Sequence, residues 1–322
     1  MKWRYLLVIL SVILCVSCYD EGDLAPTEGT EEIFKLPQGD HDYDTKIVEW
    51  FKQYGFYALY IFDEKDIYWA NENWLEGGVP EISTAGTEKG KQGDPEYVGY
   101  LVDMLEKLFI NHYPTDLLQK GMPLRVFLCS ELWDYSRDYI YDDEGNYLDY
   151  DYVYHRIWMY EGWDNIAING ASAYITDTLT REGQVDFSGE LNAYFLKRLA
   201  DMELISIPDE FYEESEYSTE SMYGTELFEN GYLQLADSRS DVEEYKKFDL
   251  ETYLELATYS LDYLENGELE EIGSYDDVPS LSGLFRRPES TKVKKKYDII
   301  IKVLRDAGIK LDDIRTPPVV EY

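Results

Sequence analysis

Apolar residues recur along this chain in two rhythms, and the rhythm changes near its middle. Ile47, Val48, Trp50, Phe51 and Tyr54 stand at helical spacing, and Gly55 ends the run. Residues 56–62 are apolar at every position and read as a strand. Residues 77–93, dense in Gly and Thr, read as a loop. Asp94 as N-cap and Pro95 at the first helical position open a second helix, with Val98, Leu101, Val102, Leu105, Leu108 and Phe109 on one face. Residues 124–129 predict a strand. Residues 135–141 and 147–160 read as the two arms of a hairpin, with Asp142, Asp143, Glu144, Gly145 and Asn146 supplying the turn. Residues 165–168 predict one more short strand. From residue 183 the helical spacing takes over. It runs through Phe187, Leu191, Phe195 and Leu199, then through Leu250, Tyr253, Leu254 and Leu261 within 242–264. It closes with Val293, Tyr297, Ile300, Ile301 and Leu304 within 292–307. No solenoid repeat is present. A mixed N-terminal half with an antiparallel sheet and a helical C-terminal half predict an α+β fold.

The first residues follow neither rhythm. Lys2 and Arg4 precede an apolar run, then Leu14, Cys15, Val16, Ser17 and Cys18, then the acidic Asp20, Glu21 and Asp23. A basic head, an apolar core and a small residue before the cut describe a secretory signal over residues 1–17. The run is shorter than the about 20 residues that span a bilayer. Its end resembles a bacterial lipobox, which makes Ser17 the last residue removed and Cys18 the acylated N-terminus. Residues 18–36, rich in Asp, Glu, Gly, Thr and Pro, read as a flexible acidic tether. Residues 37–322 read as a single domain.

Charge narrows the function classes. The 322 residues carry a formal net charge of −37, and losing Lys2 and Arg4 with the signal leaves −39. Nucleic-acid binding relies on Lys and Arg at phosphates, so it is excluded, as is adsorption to an anionic membrane. The membrane is then held through the lipid anchor only. The hydrophobic share of 44% and aromatic share of 16% fit a packed globule, and 31 tyrosines outnumber 12 phenylalanines. Beyond Cys15 and Cys18 stands Cys129 alone, inside an apolar run, which makes it a small buried hydrophobe. The acidic turn at 142–146 lacks the glycine position and closing Glu of an EF-hand loop. His41, His112 and His155 are far apart and make no H-E-x-x-H, and no P-loop, G-x-S-x-G or dinucleotide fingerprint occurs.

Several segments together resemble a known family. These are residues 34–40 with the aromatic helix and Tyr60, Ile61 and Phe62 after them, and residues 123–128. Ile207, Pro208, Asp209, Glu210 and Phe211 with Tyr217, and the closing helix with residues 308–312, complete the set. The chain is similar to the substrate import-associated zinc metallohydrolases, lipoproteins of Bacteroidetes that accompany SusC/SusD-type nutrient importers. The resemblance implies a zincin-like fold and outer-membrane localisation, lipid-anchored and cell-surface exposed, to which the acidic residues 20–23 also conform. It implies a TonB-dependent importer and its SusD-like lipoprotein as partners, with a peptide or glycan as ligand. It departs at the site. In the register of the family's H-E-x-x-H, Glu190 matches the general base, while Gly189 and Ala193 replace the two histidine metal ligands. The later acidic motif falls at 248–252, with Phe248 where an acid is expected. Histidines at i and i+4 share one side of a helix, so losing both removes the zinc site, and a lone Glu does not activate water as zinc does. The expectation is a non-catalytic accessory of nutrient uptake: an inactive peptidase homologue with no catalytic, cofactor-binding or metal residue, and Glu190 vestigial. The alternative is an active zinc metallopeptidase or other hydrolase with a non-standard site, using His155 with acids of the helical half, or a carboxylate glycosidase.

Overall fold

The strand at 124–129 is apolar without alternation because both of its faces are covered. One face, with Val126 and Leu128, joins the main core; the other carries Phe127, whose ring lies 4.8 Å from that of Phe62 and tilted to it by 56°. The protein was examined as a computed structural model, which describes residues 34–67, 89–142, 147–236, 239–272 and 279–322. The signal, Cys18, the tether to residue 33, residues 77–88 of the expected loop and residues 143–146 of the acidic turn lie outside the described residues. Residues 36–322 form one compact unit.

In chain order the elements are α1 (Asp42–Tyr54), β1 (Tyr57–Leu59), β2 (Lys89–Gln92), α2 (Val98–Leu108), α3 (Thr115–Gly121), β3 (Arg125–Tyr141), β4 (Tyr147–Arg156), β5 (Met159–Glu161) and β6 (Asn165–Asn169). The helical half follows: α4 (Tyr174–Asp177), α5 (Arg181–Asp201), α6 (Asp209–Glu213), α7 (Thr225–Glu229), α8 (Val242–Leu256), α9 (Leu261–Asn266), α10 (Thr291–Asp306) and α11 (Leu311–Arg315). The α+β division read from the sequence is the one the molecule has.

The sheet is mixed. Its order is β1-β3-β6-β5, with β2 and β4 also pairing β3. Tyr57 lies opposite Arg125, and Arg125 opposite Asn165, in parallel pairs; β2, β4 and β5 pair antiparallel. The expected strand at 124–129 and the first hairpin arm are one uninterrupted strand of 17 residues. Its first half is the centre of the sheet, and its second half leaves the body with β4 as a two-stranded ribbon. The expected helix over 242–264 is two helices. Thr258 turns its Oγ1 back to the Glu255 carbonyl at 2.8 Å, and Ser260 caps α9 by accepting from the Tyr263 N–H at 3.4 Å. Among the described residues no helix is long and apolar enough to cross a membrane.

The helical half closes around an ion pair. Lys296 of α10 and Asp249 of α8 have fully buried side chains and meet at 2.6 Å. The three ammonium hydrogens have three acceptors: Asp249 Oδ2, Ser215 Oγ at 2.9 Å and the Gly231 carbonyl at 3.0 Å. Tyr217 donates to the same carboxylate at 2.5 Å. The rings of Phe211, Tyr253 and Tyr232 lie 4.5, 4.7 and 5.4 Å from the ammonium, so their π faces supply part of the solvation that water would. Gly231 has φ +78° and its Cβ position lies 2.9 Å from Ser215 Oγ, so only glycine turns that carbonyl inward. Burial pushes the Asp249 carboxyl up and the Lys296 ammonium down, against the pull of each on the other.

Removing one partner strands the other charge in the core. Lys296→Met alone should lower stability in urea unfolding by about 3–5 kcal/mol. Adding Asp249→Leu and Tyr217→Phe should recover at least half of the loss, because an apolar set needs no partner.

Candidate functional site

The helix α5 carries Gly189, Glu190 and Ala193, and it is held from several sides. Thr180 Oγ1 caps it by accepting from Gly183 N–H at 3.1 Å. Gln184 exchanges two hydrogen bonds with the backbone of Val320, at 2.8 and 3.0 Å, and Arg181 reaches the Pro317 and Pro318 carbonyls. Arg198 Nε donates to the Gly121 carbonyl at 2.6 Å. In the core, Asn192 donates to the carbonyls of Leu108 and Ser188 at 2.9 and 2.7 Å and accepts from Tyr113 at 2.8 Å. His112 Nδ1 stands 3.4 Å from the same Asn192 oxygen. The helix therefore has no freely rotating face.

Glu190 lies one row away from that network, toward the free edge of the sheet. β5 is the edge strand. The Asn169 N–H bonds the Trp158 carbonyl and the Gly162 N–H bonds the Asn165 carbonyl, so the even-numbered residues face β6. Met159 and Glu161 are then the pairs whose N–H and C=O groups point away from the sheet. The Met159 N–H faces Glu190 and pulls its carboxyl down, against the effect of burial. Glu190 is exposed by surface area, yet atoms of the helix and strand crowd its carboxyl, and that local desolvation pushes it up to about 7. Residues at i and i+4 share a helix face, so Asp186, Glu190, Tyr194 and Arg198 form one stripe. Glu161 sits among the charges of Arg198, Asp201, Glu251 and Lys247, and burial raises its carboxyl as well as that of Glu251. The result is a cluster of acids with Arg198 and Lys247 among them, alongside an outward-facing strand edge.

The residues present do not fit zinc. Gly189 offers no side chain, and the space at its Cβ position is open, with only Thr258 Oγ1 as near as 3.9 Å. Ala193 is buried. Asp249, in the later acidic motif, is committed to Lys296 and Tyr217. Among the described residues no group of three or more His, Cys, Asp or Glu is placed to hold a metal ion.

The other candidates lie apart. His41 donates its backbone N–H to Asp44 at 3.0 Å and stacks on Tyr43. His112 is buried, and burial lowers its pKa. His155 is on β4, 3.0 Å from Asp138, not beside Glu190's strand contact. Cys129 is fully buried with its thiol pushed up, so it stays protonated. Sequence reasoning missed Glu161 and Tyr194; it had Glu251 only as part of the acidic motif at 248–252. The i+4 step from Glu190 to Tyr194 was available as a signal; the approach of β5 was not.

Two opposite pH dependences follow. Glu190 has a folded pKa above its unfolded one, so the native state takes up a proton between about pH 4.5 and 7 and stability falls as pH rises through that window. Glu190→Gln should leave the unfolding midpoint nearly unchanged at pH 4.5 and raise it at pH 8. His112 has a lowered folded pKa, so stability falls as pH drops below the ordinary histidine range. His112→Gln should flatten that acid limb in the same thermal melts.

No protein-family profile and no curated protein matches the chain. Among solved structures, a candidate zinc-binding metallo-peptidase of Bacteroides caccae ATCC 43185 superimposes with a TM-score of 0.40 at 10% identity. The match covers 86% of this chain and 92% of that one.

Proposed function

We propose that this chain is a lipid-anchored, cell-surface protein of the outer membrane that binds an extended peptide without hydrolysing it, as an accessory of a TonB-dependent importer and its SusD-like lipoprotein. The carrying observation is the edge of β5. Its outward groups are a pairing template for an extended chain, and one of them, the Met159 N–H, faces the Glu190 carboxyl. The Met159 carbonyl and both backbone groups of Glu161 remain as the pairing set, and the carboxylates beside them, Glu161, Glu190 and Glu251, suit a peptide's ammonium end. Gly189 and Ala193 at the two ligand positions support binding without metal-assisted cleavage. The anchor reading is supported by the sequence of residues 1–18, and the full chain's charge of −37, which becomes −39 once Lys2 and Arg4 leave with the signal, leaves the acyl chain as the attachment.

A second reading has one observation in its favour. A carboxyl at about 7 is suited to proton transfer near neutral pH, so Glu190 could serve as the base of a hydrolase.

Hydrogen exchange of the acylated protein, with a tryptic digest of serum albumin as the probe, separates the two. The first reading expects slower exchange at residues 159–161 and an unchanged digest, with or without added zinc. Unchanged exchange at those amides overturns it. Cleavage of the digest that Glu190→Gln abolishes establishes the second.

A further inference from the structure

The ribbon of β3 and β4 has two chemically different faces. Cross-strand pairing sets Tyr135 against Tyr154, Arg137 against Tyr152 and Tyr139 against Tyr150; past a bulge, Tyr141 meets Tyr147. Alternation therefore puts tyrosines and one arginine on one face. The other face pairs Asp138 with Asp151 and Ile140 with Asp149. Both faces are open to solvent in the distal part. Tyr139, Tyr141, Tyr147 and Tyr150 keep 53%, 56%, 53% and 43% of their surface exposed. Asp138, Asp149 and Asp151 are exposed too.

Cross-strand aromatic pairs stabilise a ribbon by themselves, and the Tyr135–Tyr154 contact at 4.6 Å does so here. Shielding of that kind does not explain rings left half open at the tip. Arg137 shows what they accept. Its guanidinium lies 4.6 Å from the Tyr150 ring, 5.5 Å from Tyr152 and 6.0 Å from Tyr139, and it donates to the Tyr152 hydroxyl at 2.9 Å. Planar cations stack on such faces. The carboxylates sit one strand-thickness behind, with no protein layer over them. Opposite charges opposed across the pair would neutralise the ribbon; Asp138 facing Asp151 instead concentrates negative charge.

We propose that the tyrosine face of this ribbon docks an arginine-rich extended segment of a partner protein. Rings stack the guanidinium groups and the carboxylates behind draw them in. The inference does not rest on peptide binding at β5.

The test is calorimetric titration of the full chain, at about 150 mM salt, with octa-arginine, octa-lysine and maltoheptaose as probes. Octa-arginine should bind about fivefold or more tighter than octa-lysine, since stacking favours the guanidinium over the ammonium. Tyr139→Leu, Tyr141→Leu and Tyr150→Leu together keep bulk and strand preference but remove polar rings, and should bring the two affinities together. Asp138→Asn with Asp149→Asn and Asp151→Asn should weaken both peptides alike and flatten their salt dependence. Equal affinities in the unmodified protein, an arginine preference that survives the leucine variant, or maltoheptaose binding that displaces octa-arginine would each overturn the proposal.

Discussion

The buried pair of Lys296 and Asp249 is the constraint around which the helical half is arranged. It joins the closing helix α10 to α8, and through Ser215 and Gly231 it also fixes the irregular stretches that follow α6 and α7. An ammonium and a carboxylate out of water each carry several kcal/mol of desolvation, which only matched geometry offsets. The matching is nearly complete: three donors meet three acceptors, a phenol completes one carboxylate oxygen, and aromatic rings surround the cation. Such a pair adds little net stability over an apolar set. What it imposes is uniqueness, since a shift of α10 by one residue leaves two charges without partners.

The pair also links framework to site. Asp249 belongs to the segment that the family resemblance marks for a further metal ligand. Engaged with Lys296, it is a structural residue. In α5, Ala193 is buried and Asn192 ties the helix to Leu108, Tyr113 and His112. Glu190 alone keeps an outlook on the sheet edge, and its raised pKa follows from that crowded position beside β5.

Much of this was legible in the chain. Lys296 stands three residues after Val293 and four before Ile300, and Asp249 four before Tyr253, so periodicity already put both charges on apolar stripes among lysines and acids that stay outside. The strand core at 124–129 and the helices at 183–202 and 292–307 were legible because their spacing is local. The parallel pairing of β3 with β1 and β6 was not, since register between distant strands leaves no trace in either one. The break at Thr258 and Ser260 was hidden by apolar residues that keep helical phase across it. At the site, the i+4 partner Tyr194 could be read, while Glu161 and the Met159 amide depend on how an edge strand approaches a helix.

The length of β3 has a mechanical meaning. Beyond Trp133, its last residue paired with β2, residues 134–141 extend about 27 Å at roughly 3.4 Å per residue. The same strand, without interruption, is the central member of the sheet. Load applied at the tip is therefore carried by covalent backbone into the middle of the body, not through a hinge at its rim. The ribbon acts as a cantilever whose root is the central strand of the sheet, able to hold an object at a distance from the body and to transmit its pull to the core.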